Sequence, residues 1–345
     1  MKAYQRKLIA GILSTAVLLL VTACGSNQPE PKLHSSPVQS SSNAYPVTIQ
    51  NYDYLENQVG YTYHKSPERV VVTHPGATEL LLEFGLENRI AATIAPYGRP
   101  IERLAAKYEK LKITKAQYMP SAEELLELQP DMIIGWVQQF TPTGMGEVQT
   151  WQSRGVGTYI LPSTLVKTKP TLETMVYQSI TDIGNIFNIQ PVTDNYIQNL
   201  RNRVAKVQAA VKDIPHKKTA IILQDHFNGT FSIYDNQYLI THLLELAGGI
   251  NLCEKRTSFV SAEKVLAFDP DVVIFVSVNK HSLTEDLSDE EAAKSLQSVS
   301  ELRSMRAIQQ GNIINLPFFT VNNGGIRMID AVEKIAVGLY PDRFH

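Results

Sequence analysis

The sequence has little net charge, few cysteines and no long basic run. Charged residues make up 19% of its 345 residues and the formal net charge is −2, so the chain lacks the positive footprint of a nucleic-acid-binding protein. Beyond the N-terminal segment, no stretch has the apolar length to cross a bilayer. The hydrophobic share of 43% is typical of a soluble globular protein.

Motifs that carry catalysis or bind metals are also missing. The sequence has no GxSxG elbow, no phosphate-binding P-loop and no HExxH, and its eight histidines are scattered. A zinc or manganese site needs three or four close His and carboxylate ligands. We therefore predict that the chain is not an enzyme and has no metal site or cofactor of its own. A free-metal binder, an enzyme and a surface adhesin are the alternatives.

The N-terminus has the pattern of an export signal. A basic start is followed by an apolar run, Leu8–Val21, which predicts a signal peptide over residues 1–23. The small residues before Cys24 resemble the lipobox of bacterial lipoproteins, which implies acylation of Cys24 and cleavage just before it. An ordinary secretory signal is the alternative. Residues 24–44 are rich in Ser, Pro, Asn and Gln and predict a flexible tether.

Lipidation has two consequences. The chain would lie on the extracytoplasmic face of the cell membrane, held by a lipid anchor on Cys24. The only other cysteine, Cys253, would then have no intrachain partner, and we expect it to be a buried small hydrophobe.

A repeated segment is the most informative feature of the chain. Residues 121–134 read SAEELLELQPDMII, and residues 261–274 read SAEKVLAFDPDVVI. Each copy opens with Ser, Ala and Glu, reaches a Pro-Asp pair nine residues after the Ser, and ends in an apolar run. The copies predict two similar lobes that each present a glutamate at the same position, as in a cleft protein that offers paired carboxylates to a partner.

Strands alternate with helices through most of the chain, which predicts α/β lobes with mostly parallel sheets covered on both faces. The predicted strands are Val70–Val72, Ile90–Ile94, Met132–Trp136, Thr158–Leu161, Thr219–Leu223, Val272–Val278 and Ile313–Leu316. The predicted helices are Thr78–Phe84, Ile101–Lys110, Ala122–Leu128, Glu147–Arg154, Thr193–Val211, Tyr238–Ala247, Ala262–Phe268 and Ile326–Leu339.

The segment Thr171–Asn188 differs from the rest, because it is periodic and apolar without any strand signal. We interpret it as one helix that bridges the lobes. The predicted organisation is an N-terminal lobe over 45–165, an interlobe helix within 166–190 and a C-terminal lobe over 191–345.

Several stretches together resemble the class III solute-binding proteins of bacterial ABC importers, the family that carries ferric siderophores, haem and vitamin B12. They are RVVVTHPGATELLLEFGL at 69–86, the two SAE copies, LLELAGGINL at 243–252 and the ending GLYPDRFH. The resemblance implies a monomer with two Rossmann-like lobes joined by one long rigid helix and a ligand cleft between the lobes. It also implies a permease dimer as partner and no nucleic acid.

The resemblance assigns the repeat glutamates a role. In that family one glutamate on each lobe meets an arginine pocket on each half of the permease, and Glu123 and Glu263 are the matching positions. Bidentate arginine–carboxylate pairs supply register as well as attraction. The alternative is that both are ordinary first-turn carboxylates favoured by the helix dipole, and Glu124 competes with Glu123 for the docking role.

Ligands of such proteins contact the loops that follow the strands. The candidate ligand-binding residues are His74, Tyr97, Arg99, Trp136, His226, Phe231, Tyr234, Phe318, Asn322 and Arg327. Aromatic faces suit a large organic chelate, and the two arginines favour an anionic ligand. We predict a ferric siderophore or similar iron chelate as the ligand. Vitamin B12 remains open, and so does haem, for which His74 or His226 would be the axial ligand.

Overall fold

A computed structural model describes residues 45–255, 257–282, 284–322 and 324–344. The predicted signal peptide, Cys24 and the tether at 24–44 lie outside the described residues. No helix in the described ranges is long and apolar enough to span a membrane. Cys253 is buried, as expected from the sequence.

The first lobe is built on a short parallel sheet. Its elements are β1 (Val47–Tyr52), β2 (Gln58–Tyr63), β3 (Val70–Val72), α1 (Pro75–Glu83), β4 (Ile90–Thr93), α2 (Glu102–Tyr108), α3 (Ala122–Leu128), β5 (Met132–Gly135), α4 (Val148–Gln152) and β6 (Gly157–Ile160). The parallel sheet has the strand order β4-β3-β5-β6, and β1 and β2 form a separate antiparallel hairpin. Because helices cover both faces, all three valines of β3 are buried, with Val71 in one core and its two neighbours in another.

One helical stretch leads from the first lobe to the second. It begins after Thr171, whose hydroxyl accepts a hydrogen bond from the backbone N–H of Thr174, and its first six residues, Leu172–Tyr177, are wound as a π-helix. The stretch continues as α5 (Gln178–Phe187) and ends at Asn188 in the left-handed region. The next helix, α6, runs over Gln190–Val211. The predicted bridging helix is thus continuous, and its first six residues are π-helical.

The second lobe has a larger, mixed sheet. Its elements are β7 (Thr219–Asp225), β8 (Thr230–Ile233), α7 (Leu239–Leu246), β9 (Ile250–Asn251), β10 (Thr257–Ser261), α8 (Ala262–Leu266), β11 (Val272–Ser277), α9 (Asp289–Gln297), α10 (Arg306–Gln309), β12 (Ile313–Pro317), α11 (Phe318–Val321) and α12 (Arg327–Leu339). The strand order is β10-β8-β7-β11-β12, with β9 beside β7. Strands β7, β11 and β12 are parallel, whereas β8 and β10 are antiparallel to their neighbours.

The predicted α/β fold with two lobes is confirmed. The hairpin β1–β2, the strands β8, β9 and β10 and the helix α9 are absent from the sequence-based prediction. Most of these strands are short and lie at sheet edges, where pairing across the chain defines them more than local pattern does. Helix α6 begins at Gln190, three residues earlier than predicted, because Pro191 fits the first turn of a helix.

The largest hydrophobic core runs through both lobes. Val72 of β3, Ile183 of the bridging helix and Ile222 of β7 belong to the same buried cluster. Both lobes also belong to one compact unit of the chain. A bridging helix that is embedded in a shared core resists large rotations of one lobe against the other, because such a rotation would break close packing.

The bridging helix carries one buried carboxylate. Asp182 is 6% exposed and accepts hydrogen bonds from the hydroxyl of Tyr159 at 2.7 Å and from the amide of Gln178 at 2.9 Å. Burial raises the pKa of Asp182 from 3.8 to about 6. The folded chain therefore holds a proton on Asp182 over a pH range in which the unfolded chain does not.

We expect Asp182→Asn to change how stability depends on pH. Because the pKa of Asp182 is raised in the folded state, its contribution to stability is present below pH 3.8 and is lost as the pH rises through about 6. The loss is about 2–3 kcal/mol, and the asparagine mimics the protonated form. Urea unfolding at about pH 4 and about pH 7.5 should show the wild type losing more free energy of unfolding than the variant. Equal losses in both proteins would contradict this assignment.

Candidate functional site

The candidate site lies between the lobes, where loops that follow the parallel strands face each other. The loop after β4 contributes Tyr97, and the residue after β5 is Trp136. From the second lobe come Gln224 at the end of β7, Asn279 after β11 and Phe318 after β12. The carboxyl ends of the strands in both sheets thus form the gap, as expected for ligand sites in open α/β sheets.

The gap contains two cavities. The larger cavity has a volume of about 310 Å³ and is lined by Tyr97, Gly98, Tyr118, Gln224, Ser277, Val278, Asn279, Ser282, Glu285, Asp286, Phe318 and Phe319. The smaller cavity has a volume of about 170 Å³ and is lined by Trp136, Gln138, Ser163, Thr164, Leu165, Val166, Pro170, Tyr234, Gln237, Tyr238, Leu239, Ile240, Val321, Asn322 and Gly324. Each cavity is lined by both lobes.

Five of the predicted ligand-binding residues line these cavities. Tyr97 and Phe318 face the larger cavity, and Trp136, Tyr234 and Asn322 face the smaller one. The ring of Tyr97 lies 5.3 Å from that of Tyr118. Burial raises the pKa of the Tyr97 hydroxyl, so this group remains a neutral hydrogen-bonding partner.

His74 lies behind the residues that line the cavities and is not part of the lining. The residue is fully buried at the N-cap of α1, where its Nδ1 accepts a hydrogen bond from the backbone N–H of Gly76 at 3.0 Å. Its ring packs on that of Trp136, with centroids 4.4 Å apart. Burial lowers the pKa of His74 to about 3, so the ring is neutral and the proton resides on Nε2. A histidine in this state supports the indole and presents no lone pair to a haem iron.

His226 lies in an aromatic segment on the second lobe. Its Nε2 is 2.7 Å from the hydroxyl of Ser232, and its ring stacks on Phe259 with centroids 4.7 Å apart. Phe259 is 69% exposed and has φ +58°, while the neighbouring Phe227 is 43% exposed and has φ +59°. Bulky residues in the left-handed region cost about 1–3 kcal/mol each, and such strain is concentrated at functional sites.

Phe231 belongs to the core. It is 1% exposed and packs in a cluster with Ile233, two residues further along β8. Alternate residues of a strand point to opposite faces, and the buried face of β8 holds both side chains. The structure therefore separates Phe231 from the cleft, although it follows the same loop as His226.

Several lining residues lack a signal in the sequence. Tyr118, Glu285 and Asp286 line the larger cavity, and Ser163 and Tyr238 line the smaller one. None of them directly follows a predicted strand. Only the packing of one lobe against the other brings them to the site.

The described residues provide no group of three His, Cys, Asp or Glu side chains arranged to hold a metal ion. The aromatic and amide groups that line the cavities are suited to an organic ligand.

Glu123 and Glu263 occupy equivalent positions on the two lobes. Each is exposed and is the second residue of a helix capped by a serine, with φ/ψ of −71°/161° at Ser121 and −75°/162° at Ser261. The pKa of Glu123 is lowered by hydrogen bonds from its own amide and from Ser121. The pKa of Glu263 is lowered by hydrogen bonds from Ser261 and from its own amide. Both carboxylates are therefore ionised at neutral pH.

Glu124, the alternative candidate for the docking role, forms a hydrogen bond within the first lobe. Its carboxylate accepts a hydrogen bond from the backbone N–H of Lys115 at 2.7 Å. Glu123 makes no ion pair with any described residue, so it is the freer of the two carboxylates to meet a partner.

A family model described as "Periplasmic binding protein" matches residues 70–319 of the chain. The chain belongs to this family. The class III resemblance drawn from the sequence is confirmed. Among curated proteins, this binding protein is similar to an uncharacterized ABC transporter substrate-binding lipoprotein, YvrC, of Bacillus subtilis, with 20% identity over 97% of this chain and 98% of the relative. It is also similar to a cobalamin-binding protein of Halobacterium salinarum, with 20% identity over 96% of this chain and 84% of the relative.

Two solved structures share the fold. A periplasmic binding protein from Veillonella parvula has a TM-score of 0.72 and 22% identity, covering 86% of this chain and 99% of its own. A protein of an ABC-type Fe3+-hydroxamate transport system from Saccharomonospora viridis has a TM-score of 0.68 and 19% identity, covering 85% of this chain and 99% of its own. At this identity the likeness concerns the fold alone.

A buried ion pair joins the two lobes of this binding protein. Arg327 of α12 donates from Nε to Glu79 of α1 at 2.8 Å and from Nη2 to the other oxygen of the same carboxylate. Glu79 is fully buried and Arg327 is 8% exposed. The guanidinium also donates to the carbonyl of Arg99 at 2.6 Å and lies 4.5 Å from the ring centroid of Phe319. Arg327 is therefore an interlobe clamp rather than a free group in the cleft.

Close backbone contacts accompany this pair. A Cβ on Gly324 would lie 1.8 Å from the Oγ of Ser163, and a Cβ on Gly98 would lie 2.6 Å from a carboxylate oxygen of Asp286. Both glycines also have positive φ values, +60° and +117°. The lobes of the binding protein therefore approach each other closely at these two points.

We expect Arg327→Met to destabilise the protein by about 3–5 kcal/mol, because it removes the guanidinium that neutralises the buried carboxylate of Glu79. The double variant with Glu79→Leu should recover most of that loss, since no buried charge remains. Arg99→Gln is the matched control, because the Arg99–Glu285 pair also joins the lobes but the Arg99 side chain is 71% exposed, so little change is expected. Urea unfolding measures all three. A double variant as unstable as the single one would contradict this account.

Proposed function

We propose that this protein is the lipid-anchored substrate-binding component of an ABC importer. It captures a ferric siderophore or similar iron chelate outside the cell membrane and delivers it to a permease dimer. In this proposal Cys24 carries the lipid anchor, the protein acts as a monomer on the extracytoplasmic face, and it has no enzymatic role. The relative from Bacillus subtilis, named as an ABC transporter substrate-binding lipoprotein, supports the transporter and the anchor.

The observation that carries the proposal is the matched pair of glutamates, one on each of the two lobes that form the cleft. Glu123 and Glu263 each lie in a helix that has serine at the N-cap position, each is the second residue of that helix, and the pKa of each is lowered. Two exposed carboxylates on two coupled lobes suit a partner with two arginine pockets, because two anchors at a fixed spacing bind with avidity. A first-turn carboxylate stabilises its helix whether or not it forms an ion pair. Local helix stability therefore does not explain why neither carboxylate forms one within the described residues.

The cargo is the finer part of the proposal. The aromatic and amide lining of both cavities suits a large organic chelate. The second candidate is a cobalamin, which the relative from Halobacterium salinarum favours through its name. Haem is the third candidate, and its support is weaker because the ring of His74 presents no lone pair to the cleft.

We expect Glu123→Ala combined with Glu263→Ala to abolish uptake of the chelate while leaving its affinity for the protein unchanged. Both side chains are exposed and lie outside the cavity linings, so their loss removes the permease contacts only. Uptake of radiolabelled chelate by cells and affinity by fluorescence titration measure the two effects.

Glu124→Ala is the control for the docking variants, because its carboxylate bonds to the backbone of Lys115. Uptake should survive in this variant. Weakened chelate binding in the double variant, or normal uptake by it, would refute the docking role.

The two tryptophans make the ligand class measurable. Trp136 lines the smaller cavity, whereas Trp151 is 2% exposed and donates from Nε1 to the carbonyl of Met145 at 2.9 Å. We expect one ferric siderophore, cobalamin or haem in a panel to quench the intrinsic fluorescence with saturation at submicromolar concentration.

The source of the quenching is tested by two variants. Trp136→Phe should remove most of the ligand-dependent quenching, and Trp151→Phe should retain it. No saturable response to any member of the panel, with the protein folded by circular dichroism, would overturn the proposed cargo class.

A further inference from the structure

Both arginines near the cleft are neutralised by carboxylates. The guanidinium of Arg327 is held by Glu79 in the buried interlobe pair. The guanidinium of Arg99 lies 2.8 Å from the carboxylate of Glu285, which belongs to the other lobe. Both positive charges are paired with carboxylates of the protein, so these arginines no longer support the expectation of an anionic ligand.

A third carboxylate belongs to the same cluster. Asp286 lines the larger cavity beside Glu285 and forms no ion pair within the described ranges. Burial raises the pKa of Asp286, while Arg327 and a hydrogen bond from the amide of Arg99 act in the opposite direction. The cluster contains three carboxylates, from Glu79, Glu285 and Asp286, and only two guanidinium groups. It therefore has an excess of negative charge, whichever carboxylate pairs with each arginine.

The other residues that line the two cavities also favour a cation over an anion. Tyr97, Tyr118, Phe318 and Phe319 supply aromatic rings to the larger cavity, and the faces of such rings attract cations. The described lining of the smaller cavity contains neutral side chains only. Three lysines adjoin lining residues along the chain, Lys167, Lys169 and Lys280, and none of them is part of either lining. Lys167 donates from Nζ to the carbonyl of Leu55 at 2.8 Å, and Lys280 lies over the ring of Phe227 at 5.4 Å.

Resting on the proposed function, we propose that the cleft selects its chelate by charge. It binds a cationic chelate more tightly than a neutral one and excludes an anionic one, with Glu285 and Asp286 as the specificity-determining residues. A charge confined in a cavity with low-dielectric walls is felt more strongly than one at an open surface.

This preference separates the chemical classes of iron chelate. In a ferric tris-hydroxamate the three ligands balance the charge of the metal, so an added amine makes the complex cationic. A ferric tris-catecholate carries a strong negative charge, and the propionates of haem are anionic. The cleft is therefore expected to accept hydroxamate-type chelates or amide-bearing corrinoids and to reject the other two.

The test uses ligands that differ in charge alone. Ferrioxamine B bears a free amine, its N-acetyl derivative is neutral and its N-succinyl derivative is anionic, all on the same metal centre. Cyanocobalamin, its monocarboxylic acid and an aminoalkyl amide of that acid form the equivalent corrinoid series. Titration of the full-length protein in detergent at low salt should rank each bound series as cation, neutral, anion, with steps of about tenfold that shrink at high salt.

Two variants assign the ranking to named groups. Glu285→Gln together with Asp286→Asn should flatten the ranking, and Glu285→Gln alone should improve binding of the anionic member because it frees Arg99. Glu127→Gln is the control, since the side chain of Glu127 is 70% exposed, pairs with Lys115 and is absent from both linings.

The outcomes distinguish the two proposals. An anionic member that binds as tightly as the cationic one, or a ranking that persists in the double variant, would overturn the charge selection. Absence of binding by every member of both series and by haem would instead overturn the proposed function, and the charge selection with it.

Discussion

The buried pair of Glu79 and Arg327 is the constraint on which the cleft depends. A fully buried carboxylate is costly unless its charge is neutralised, and here the neutralising guanidinium comes from the opposite lobe. The pair therefore links α1 of one lobe to α12 of the other, and Gly324 lies close to Ser163 across the same two lobes. Because Arg327 is bound by Glu79, it is not available to a ligand. Aromatic rings, amides and acidic groups remain as the lining of the cleft. The same interaction thus sets both the closure of the cleft and its chemistry.

The opposite side of the molecule is held by apolar packing. The bridging helix lies in a hydrophobic core that both lobes share, so the lobes move only within the limits that close packing allows. Limited movement of the lobes would keep the distance between Glu123 and Glu263 nearly constant, as the proposed bivalent docking requires. Asp182 is the polar exception in this helix, satisfied by Tyr159 and Gln178 at a cost that depends on pH.

The sequence predicts correctly the features that depend on neighbouring residues. It fails for features that depend on contacts between residues distant in the chain. The valine run at Val70–Val72 and the capping serine at Ser121 are local signals, and the structure contains the strand and the helix that they predict. Strand β10 is irregular and is defined by its pairing with β8, so no local pattern identifies it. Within the cleft, Trp136 was identifiable because it directly follows a buried strand. Phe231 was assigned to the cleft by the same reasoning, but the alternation of β8 turns its side chain into the core.

By itself the sequence determined the α/β class, the two related lobes, the bridging helix and the matched glutamates, because periodicity, capping residues and internal repetition are written in neighbouring residues. The tertiary structure decided the charge and shape of the cleft. Glu79 and Arg327 are separated by 248 positions, and Arg99 and Glu285 by 186, so no spacing in the sequence reveals that they meet. Whether an arginine binds a ligand or a carboxylate depends on what lies across the cleft, and only the packing of one lobe against the other determines that.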